Sequence, residues 1–361
     1  MTKRLTIVAF IGIFLAGFLF LRGPTPHIAI KAETLTTVSG IALTNTMITG
    51  WVVVATIAIG LFLGTRKWNL VPSGVQNFLE AAFEGFYTLV TNIAGEKNGR
   101  RFFPVVATIF FFIVISNWMS LLPGFNMIGW VGSPEDAETQ IEEHGFVHGI
   151  IFDDTGLGDI RFIPLSSPGN LRVTSDTSVI EEGDPEGEQK YDEAVADGKF
   201  VGELIPLLRG VNTDLNTPLA IAIAAFIAVE FWGISSLGLL TYGKKFFNFS
   251  GPIDFFVGIL ELVSEMVRLV SFTFRLFGNM FAGEVVILMF TFLTPLIITL
   301  PFYGLEIFVG AIQAFIFSML TLVFAVMAVS HHGGGEHEEH SGQTAHDEAI
   351  DHSTAAHQQP A

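Results

Sequence analysis

The chain has 361 residues, 50% of them hydrophobic, with 36 phenylalanines, no cysteine and a mean hydropathy of +0.55. That apolar content points to a membrane protein, and the missing thiols exclude disulfides and cysteine-ligated clusters. The net charge of −17, with no basic patch interleaved with aromatics, excludes a nucleic-acid-binding surface.

The acidity is confined to two segments. Residues 133–204 hold 18 Asp/Glu against 4 Lys/Arg, and residues 331–361 hold 6 Asp/Glu and no Lys/Arg, so the remainder carries a small positive excess of 3. In chain order, Lys3 and Arg4 precede the apolar run Leu5–Leu21. Residues 1–22 read equally as a cleaved signal peptide or a retained N-terminal anchor. Leu43–Leu63 is the first expected span and Phe102–Leu122 the second. The loop between them carries Arg66, Lys67, Lys97, Arg100 and Arg101, which places it in the cytoplasm. Within that loop Val75, Phe78, Leu79, Ala82, Phe83, Phe86, Val90 and Ile93 recur at helical spacing. Gln76, Asn77, Glu80 and Glu84 lie on the other side, as in an amphipathic helix resting at the membrane interface.

The acidic segment 133–204 follows, with short apolar islands at Ile160–Leu165 and Leu171–Val173 that suggest a partly ordered, β-containing cap. The third span is expected at Leu219–Leu240, closed by Lys244-Lys245 on the cytoplasmic side. The acidic insert then lies outside. Two apolar stretches complete the body, Asp254–Leu293 and Pro301–Val329, and the His-rich tail 331–361 reads as disordered and cytoplasmic. The fold class is therefore all-α: a polytopic membrane protein with five core helices and an interfacial amphipathic helix. Its domains are 1–22, 43–122, 133–204, 219–330 and 331–361.

The stretch Asp254–Leu293 carries the chemistry. Its forty residues would span about 60 Å, twice a hydrocarbon core, so the helix must tilt steeply or run partly along the membrane. An arginine inside such a helix is costly, by about 2.5–3.5 kcal/mol at its centre, and cannot shed its charge. Arg275 is that residue. With Arg275 at zero and about 100° per residue, Glu261, Arg268, Ser271 and Asn279 fall within about 40° of it, and Glu284 falls on the opposite side. On the partner helix, Glu306 and Gln313 are seven residues apart and share a face. An antiparallel hairpin would let Glu284 meet Glu306 near the outer side and bring Gln313 towards Arg275. Two close carboxyls of that kind titrate as a coupled pair.

Arg275-Leu276-Phe277-Gly278-Asn279, followed by Ala282-Gly283-Glu284 and by Gln313-Ala314-Phe315-Ile316-Phe317, resembles subunit a of the rotary, F-type ATP synthase membrane sector. The resemblance runs from about residue 44 to 330, and Gln76-Asn77-Phe78 with Glu80 also looks like that family. It implies a non-catalytic stator subunit that conducts protons through two half-channels to a rotor c-ring. Subunit b of the peripheral stalk and the lipid bilayer are its other implied partners. No cofactor and no nucleotide binding are implied, and the location is a bacterial inner membrane. In the family the residue matching Arg275 attracts the rotor carboxylate and bars proton leakage. Positions matching Asn279, Glu284 and Gln313 line the outer path, and Glu261 matches an acid on the cytoplasmic path.

Three residues depart from the pattern. Glu306 stands where some relatives have His. Ser120 replaces an Asp, for which Asn117 is a candidate substitute. Glu230, inside the third span, reads either as an acid bonded to a neighbouring helix or as part of the cytoplasmic exit. Gly238–Lys245 approaches a phosphate loop but ends in Lys where Ser or Thr is needed, so a nucleotide site is rejected. The remaining rival is a self-contained ion channel or secondary transporter, but inverted repeats are not apparent in the sequence.

Overall fold

The computed structural model describes residues 30–38, 40–66, 74–126, 204–243, 251–293 and 299–330. It adds strand segments at 21–22, 128–131, 146–152, 160–162, 167–168, 174–181 and 200–202, and single positions 189, 193, 196 and 246. The run Leu5–Leu21, except its last residue, the pair Lys244-Lys245, the island Leu171–Val173 and the tail 331–361 lie outside the described residues.

Six helices are described: α1 (Asn45–Thr65), α2 (Val75–Ser120), α3 (Asn216–Leu237), α4 (Leu239–Gly243), α5 (Pro252–Leu293) and α6 (Thr299–Ser330). Among the described residues, α1, α2, α3 and α6 are long and apolar enough to cross a membrane. The fifth expected core helix, α5, has 42 residues but interrupts its apolar run with Glu261, Glu265, Arg268, Arg275 and Glu284.

The ends of the helices follow from local chemistry. Thr44 caps α1, its side chain accepting from the Met47 N–H. Pro252 opens α5 with a preset φ and Asp254 sits in its first turn, where the helix dipole favours an anion. Gly238 takes φ 81° and stops α3 three residues before the sequence reading placed its end.

The amphipathic helix forms a segment of its own ahead of the second span. It runs into the second span as α2, broken by a bend at Gly95 (φ 75°, ψ 159°). Its two halves fold onto each other through aromatic rings: Phe86 stacks on Phe110 at 4.6 Å, and Phe83 meets Phe111 at 4.6 Å. Its faces also differ from the expected split. Gln76 is buried and donates to Glu80 at 2.7 Å, while Val75 and Phe78 are exposed. Packing against the chain's own second span takes Phe86 and Val90 out of the surface the periodicity had assigned to the membrane interface.

Helix α6 is the centre of the body, packing against α2, α3 and α5. Its Ala314, Phe317, Leu322 and Ala325 are fully buried, against Phe102, Val106 and Trp232 on one side and Ile113, Phe272 and Leu276 on the other. Small residues let the backbones close in, since a Cβ at Gly310 would stand 3.1 Å from the Asn117 Cβ. Helix α1 packs mainly on α2 and is otherwise outward-facing, with Trp51, Val54, Phe62 and Leu63 exposed.

The chain is mostly helical, as expected of a polytopic membrane protein, and short strands stand outside the helical body. Thr34–Val38 and Ile41–Thr44 form a hairpin ahead of α1. The acidic insert contributes one three-stranded antiparallel sheet of Phe146–Phe152, Thr174–Glu181 and Phe200–Gly202. A second sheet joins Ile128–Val131 to Ile160–Phe162 and Leu204–Pro206. That second sheet is the neck of the insert. Its ladder continues as Leu207 N–H to Ile128 O (2.9 Å) and Asn126 N–H to Leu208 O (3.0 Å), which brings the ends of the insert onto the helical body.

Candidate functional site

Between the neck, the end of α2 and the hairpin of α5 and α6 lies a cavity of about 80 Å³. Ser120, Asn126, Thr213, Tyr303, Glu284 and Glu306 supply its polar lining, and Met280, Ile287 and Leu288 its apolar side. The carboxyls of Glu284 and Glu306 face this one space because α5 and α6 run antiparallel and approach closely at Gly283. A Cβ there would collide with the Glu306 carboxyl.

Glu284 is held from outside its own helix. Asn126 Nδ2 donates to Glu284 Oε1 at 2.5 Å, and Arg209 Nε stands 3.9 Å from the same oxygen. Asn126 reaches it from a left-handed backbone (φ 57°), a conformation that asparagine tolerates better than most residues.

One turn towards the middle of α5, Asn279 Nδ2 donates to Gln313 Oε1 at 2.7 Å. Gln313 is buried, and its Nε2 has no hydrogen-bond partner among the described residues. The residue it bonds, Asn279, lies one helical turn from Arg275, which Gln313 was expected to approach. Arg275 and Ser271 are exposed on the outside of the hairpin, as is Asn279. Among the described residues Arg275 has neither an ion pair nor a hydrogen bond. A guanidinium left bare on the side of an apolar helix is costly in hydrocarbon unless water or an anion reaches it.

Towards the start of α5 a second polar group gathers. Glu265 is 2% exposed and pairs with Arg268 at 2.7 Å, whose guanidinium also stands 3.9 Å over the Phe324 ring. Tyr242 of α4 lies against Glu230 and within electrostatic reach of Glu265 and Arg268. Its ring is wedged so closely on α3 that a Cβ at Gly233 would clash with it. Glu261 is half-buried one turn before Glu265.

Asn117 does not line the cavity. It donates to Gly310 O (3.1 Å) and accepts from Asn212 Nδ2 (2.7 Å), so it ties α2 to α6 and to the segment before α3. Ser120 itself lines the space. Sequence reasoning missed Arg209, Asn126, Asn212, Tyr303, Glu265 and Tyr242. The nearest signal was the polar run Arg209–Asn216 abutting an apolar span, which helical phase cannot interpret because it precedes the helix.

A model of the family described as ATP synthase A chain matches residues 47–181 and 194–326. The chain belongs to this family. Similar proteins include ATP synthase subunit a of Gloeobacter violaceus, 30% identical over 289 residues, covering 80% of this chain and 85% of the relative. ATP synthase subunit a of Moorella thermoacetica is 27% identical over 292 residues, covering 81% and 94%. ATP synthase subunit a 3 of Pelobacter propionicus is 28% identical over 277 residues, covering 76% and 82%. The one stretch between the matched parts, 182–193, falls in the acidic insert. As a subunit a family member the chain is a multi-pass membrane protein. It is the proton-conducting stator subunit of an F-type ATP synthase, and the catalytic activity belongs to another sector. A self-contained channel or transporter is not favoured.

Proposed function

We propose that protons cross this subunit by two half-paths that meet a rotor carboxylate beside Arg275. The observation that carries the reading is the exposed Arg275, which has no partner among the described residues, one helix side away from a polar cavity shared by Glu284 and Glu306. The partner is a c-ring of small hairpin subunits, each with an intramembrane acid. The peripheral-stalk subunit b and the lipid of a bacterial inner membrane complete its surroundings.

The outer path begins at the cavity under the insert. Glu284 and Glu306 take up a proton from outside water, and the Asn279–Gln313 pair bridges the roughly 7 Å of helix between Glu284 and the exposed face. A rotor acid that receives the proton becomes neutral and can turn into lipid. On return it gives the proton up to the inner group, where Glu261, the Glu265–Arg268 pair and Glu230 with Tyr242 offer titratable stations. Arg275 attracts the ionised rotor acid and cannot itself carry a proton between the paths. In this topology the insert 133–204 is outside and the tail cytoplasmic.

The test is Arg275→Ala and Arg275→Lys in the assembled complex. Both should retain the c-ring on purification and lose ATP-driven proton pumping in reconstituted vesicles. A lysine supplies a point charge with a shiftable proton affinity, which is no substitute for a fixed guanidinium. Pumping at the unsubstituted rate by Arg275→Ala would refute the reading.

A further inference from the structure

Arg209 stands outside every helix, yet its side chain is only 5% exposed. A buried guanidinium persists only where its donors are used. Its Nη1 donates to the Lys31 carbonyl at 3.0 Å, and its Nε faces Glu284 Oε1 at 3.9 Å. Its backbone N–H donates to Thr49 Oγ1 of α1 at 3.2 Å. The segment before α1, the start of α1 and the wall of the cavity therefore converge on one side chain.

What places Arg209 there is the neck of the insert. Val131, Trp130 and Gly129 pair with Leu204, Ile205 and Pro206. Gly129 has no room for a Cβ against the Ile205 backbone, so the two strands are locked at close approach. The ladder ends on Asn126 N–H to Leu208 O, which leaves Asn126 on its last rung and Arg209 just beyond it. Both then reach the same oxygen of Glu284. The start of α1 braces the other side, with Asn45 Nδ2 donating to Pro206 O (3.1 Å) and to Glu33 Oε2 (2.9 Å), and Thr46 Oγ1 donating to Asp214 Oδ2 (3.2 Å).

We propose that Arg209 is a positioning residue of the outer path: anchored by the Lys31 carbonyl and the neck of the insert, it docks the Glu284 carboxyl at the cavity shared with Glu306. The inference rests on the proton path proposed above. It assigns the insert a mechanical role in proton transfer, since the neck carries both groups that hold Glu284. The other titratable groups facing that cavity are Glu306 and Tyr303 of α6; Asn126, Ser120 and Thr213 face it without a charge.

The experiment measures passive proton conduction through the membrane sector, with the c-ring present, as a function of outside pH. Arg209→Gln should reduce conduction by about tenfold, the scale of a carboxyl misplaced by an ångström or less, and should shift its pH profile. In a Glu284→Gln background the same change should add little, because the group it positions is gone. Arg209→Lys should fall between, since an ammonium keeps the charge but not the fork that spans Lys31 and Glu284.

If Arg209→Gln does not assemble, the double variant with Glu284→Gln decides, because it leaves no buried charge without its partner. It should assemble and conduct as Glu284→Gln does. An Arg209→Gln complex with unchanged conduction and pH profile would overturn the inference, and so would a double variant that loses conduction additively. Unchanged conduction in Glu284→Gln alone would instead overturn the underlying path.

Discussion

Gly283→Ala tests the geometry of the outer path with a single methyl group. The Cβ it adds would collide with the Glu306 carboxyl across the hairpin. To restore an ordinary van der Waals separation the carboxyl must retreat by roughly 1.5–2 Å. Because the obstructed group is the free end of a flexible side chain, the fold can yield there without opening the helix pair. Replacing a mid-helix glycine by alanine also gains about 0.5–1 kcal/mol of helix stability, which offsets much of the crowding. Thermal stability of the purified complex should thus change little, while Glu306 leaves its place beside Glu284. Displacement of a transferring group on that scale lowers its rate by about tenfold to a hundredfold. The control is Gly304→Ala, on the same helix as Glu306 but with nothing within 4 Å of its added Cβ. Both variants would be reconstituted with the c-ring, and proton uptake would be followed by the quenching of a pH-sensitive dye. Equal pumping by the two variants would refute the argument, showing that Glu306 is either not held at Gly283 or not on the path.

Glu284→Gln and Glu306→Gln should each slow proton flux, and the double change should fall short of the product of the two, as expected for groups that share a cavity; multiplicative losses in the same flux assay would place them on separate paths. Deleting residues 331–361 should leave proton-coupled ATP synthesis near the level of the intact complex, because polar termini outside the spans tolerate truncation. Protease added to intact spheroplasts should cut the insert 133–204 and spare the tail, which immunoblotting of the fragments would show; the reverse pattern would invert the topology and remove Glu284 from the outer side.

Much of this protein was legible in its residues because the bilayer imposes a one-dimensional rule. A span must be long, apolar and helical, so the runs at Leu43, Phe102, Leu219 and Pro301 announce α1, the second half of α2, α3 and α6 to within a few residues. A charge inside such a run stands out against it, which is how Arg275 and Glu284 were found, and a periodicity of 3.6 residues put them on different sides of one helix.

Tertiary structure decided what periodicity cannot reach. Whether Phe86 faces lipid or Phe110 depends on the bend at Gly95, and no count along the helix reveals it. Gln313 bonds Asn279, leaving Arg275 without a partner among the described residues, because two helices settle at one particular depth and rotation. The groups that hold Glu284 come from residues 126 and 209, far from it in the chain and outside every helix. They meet it only because an antiparallel ladder closes the neck of the insert over the hairpin. A span is a local property of the sequence, whereas a site built from loops is a consequence of which distant backbones pair.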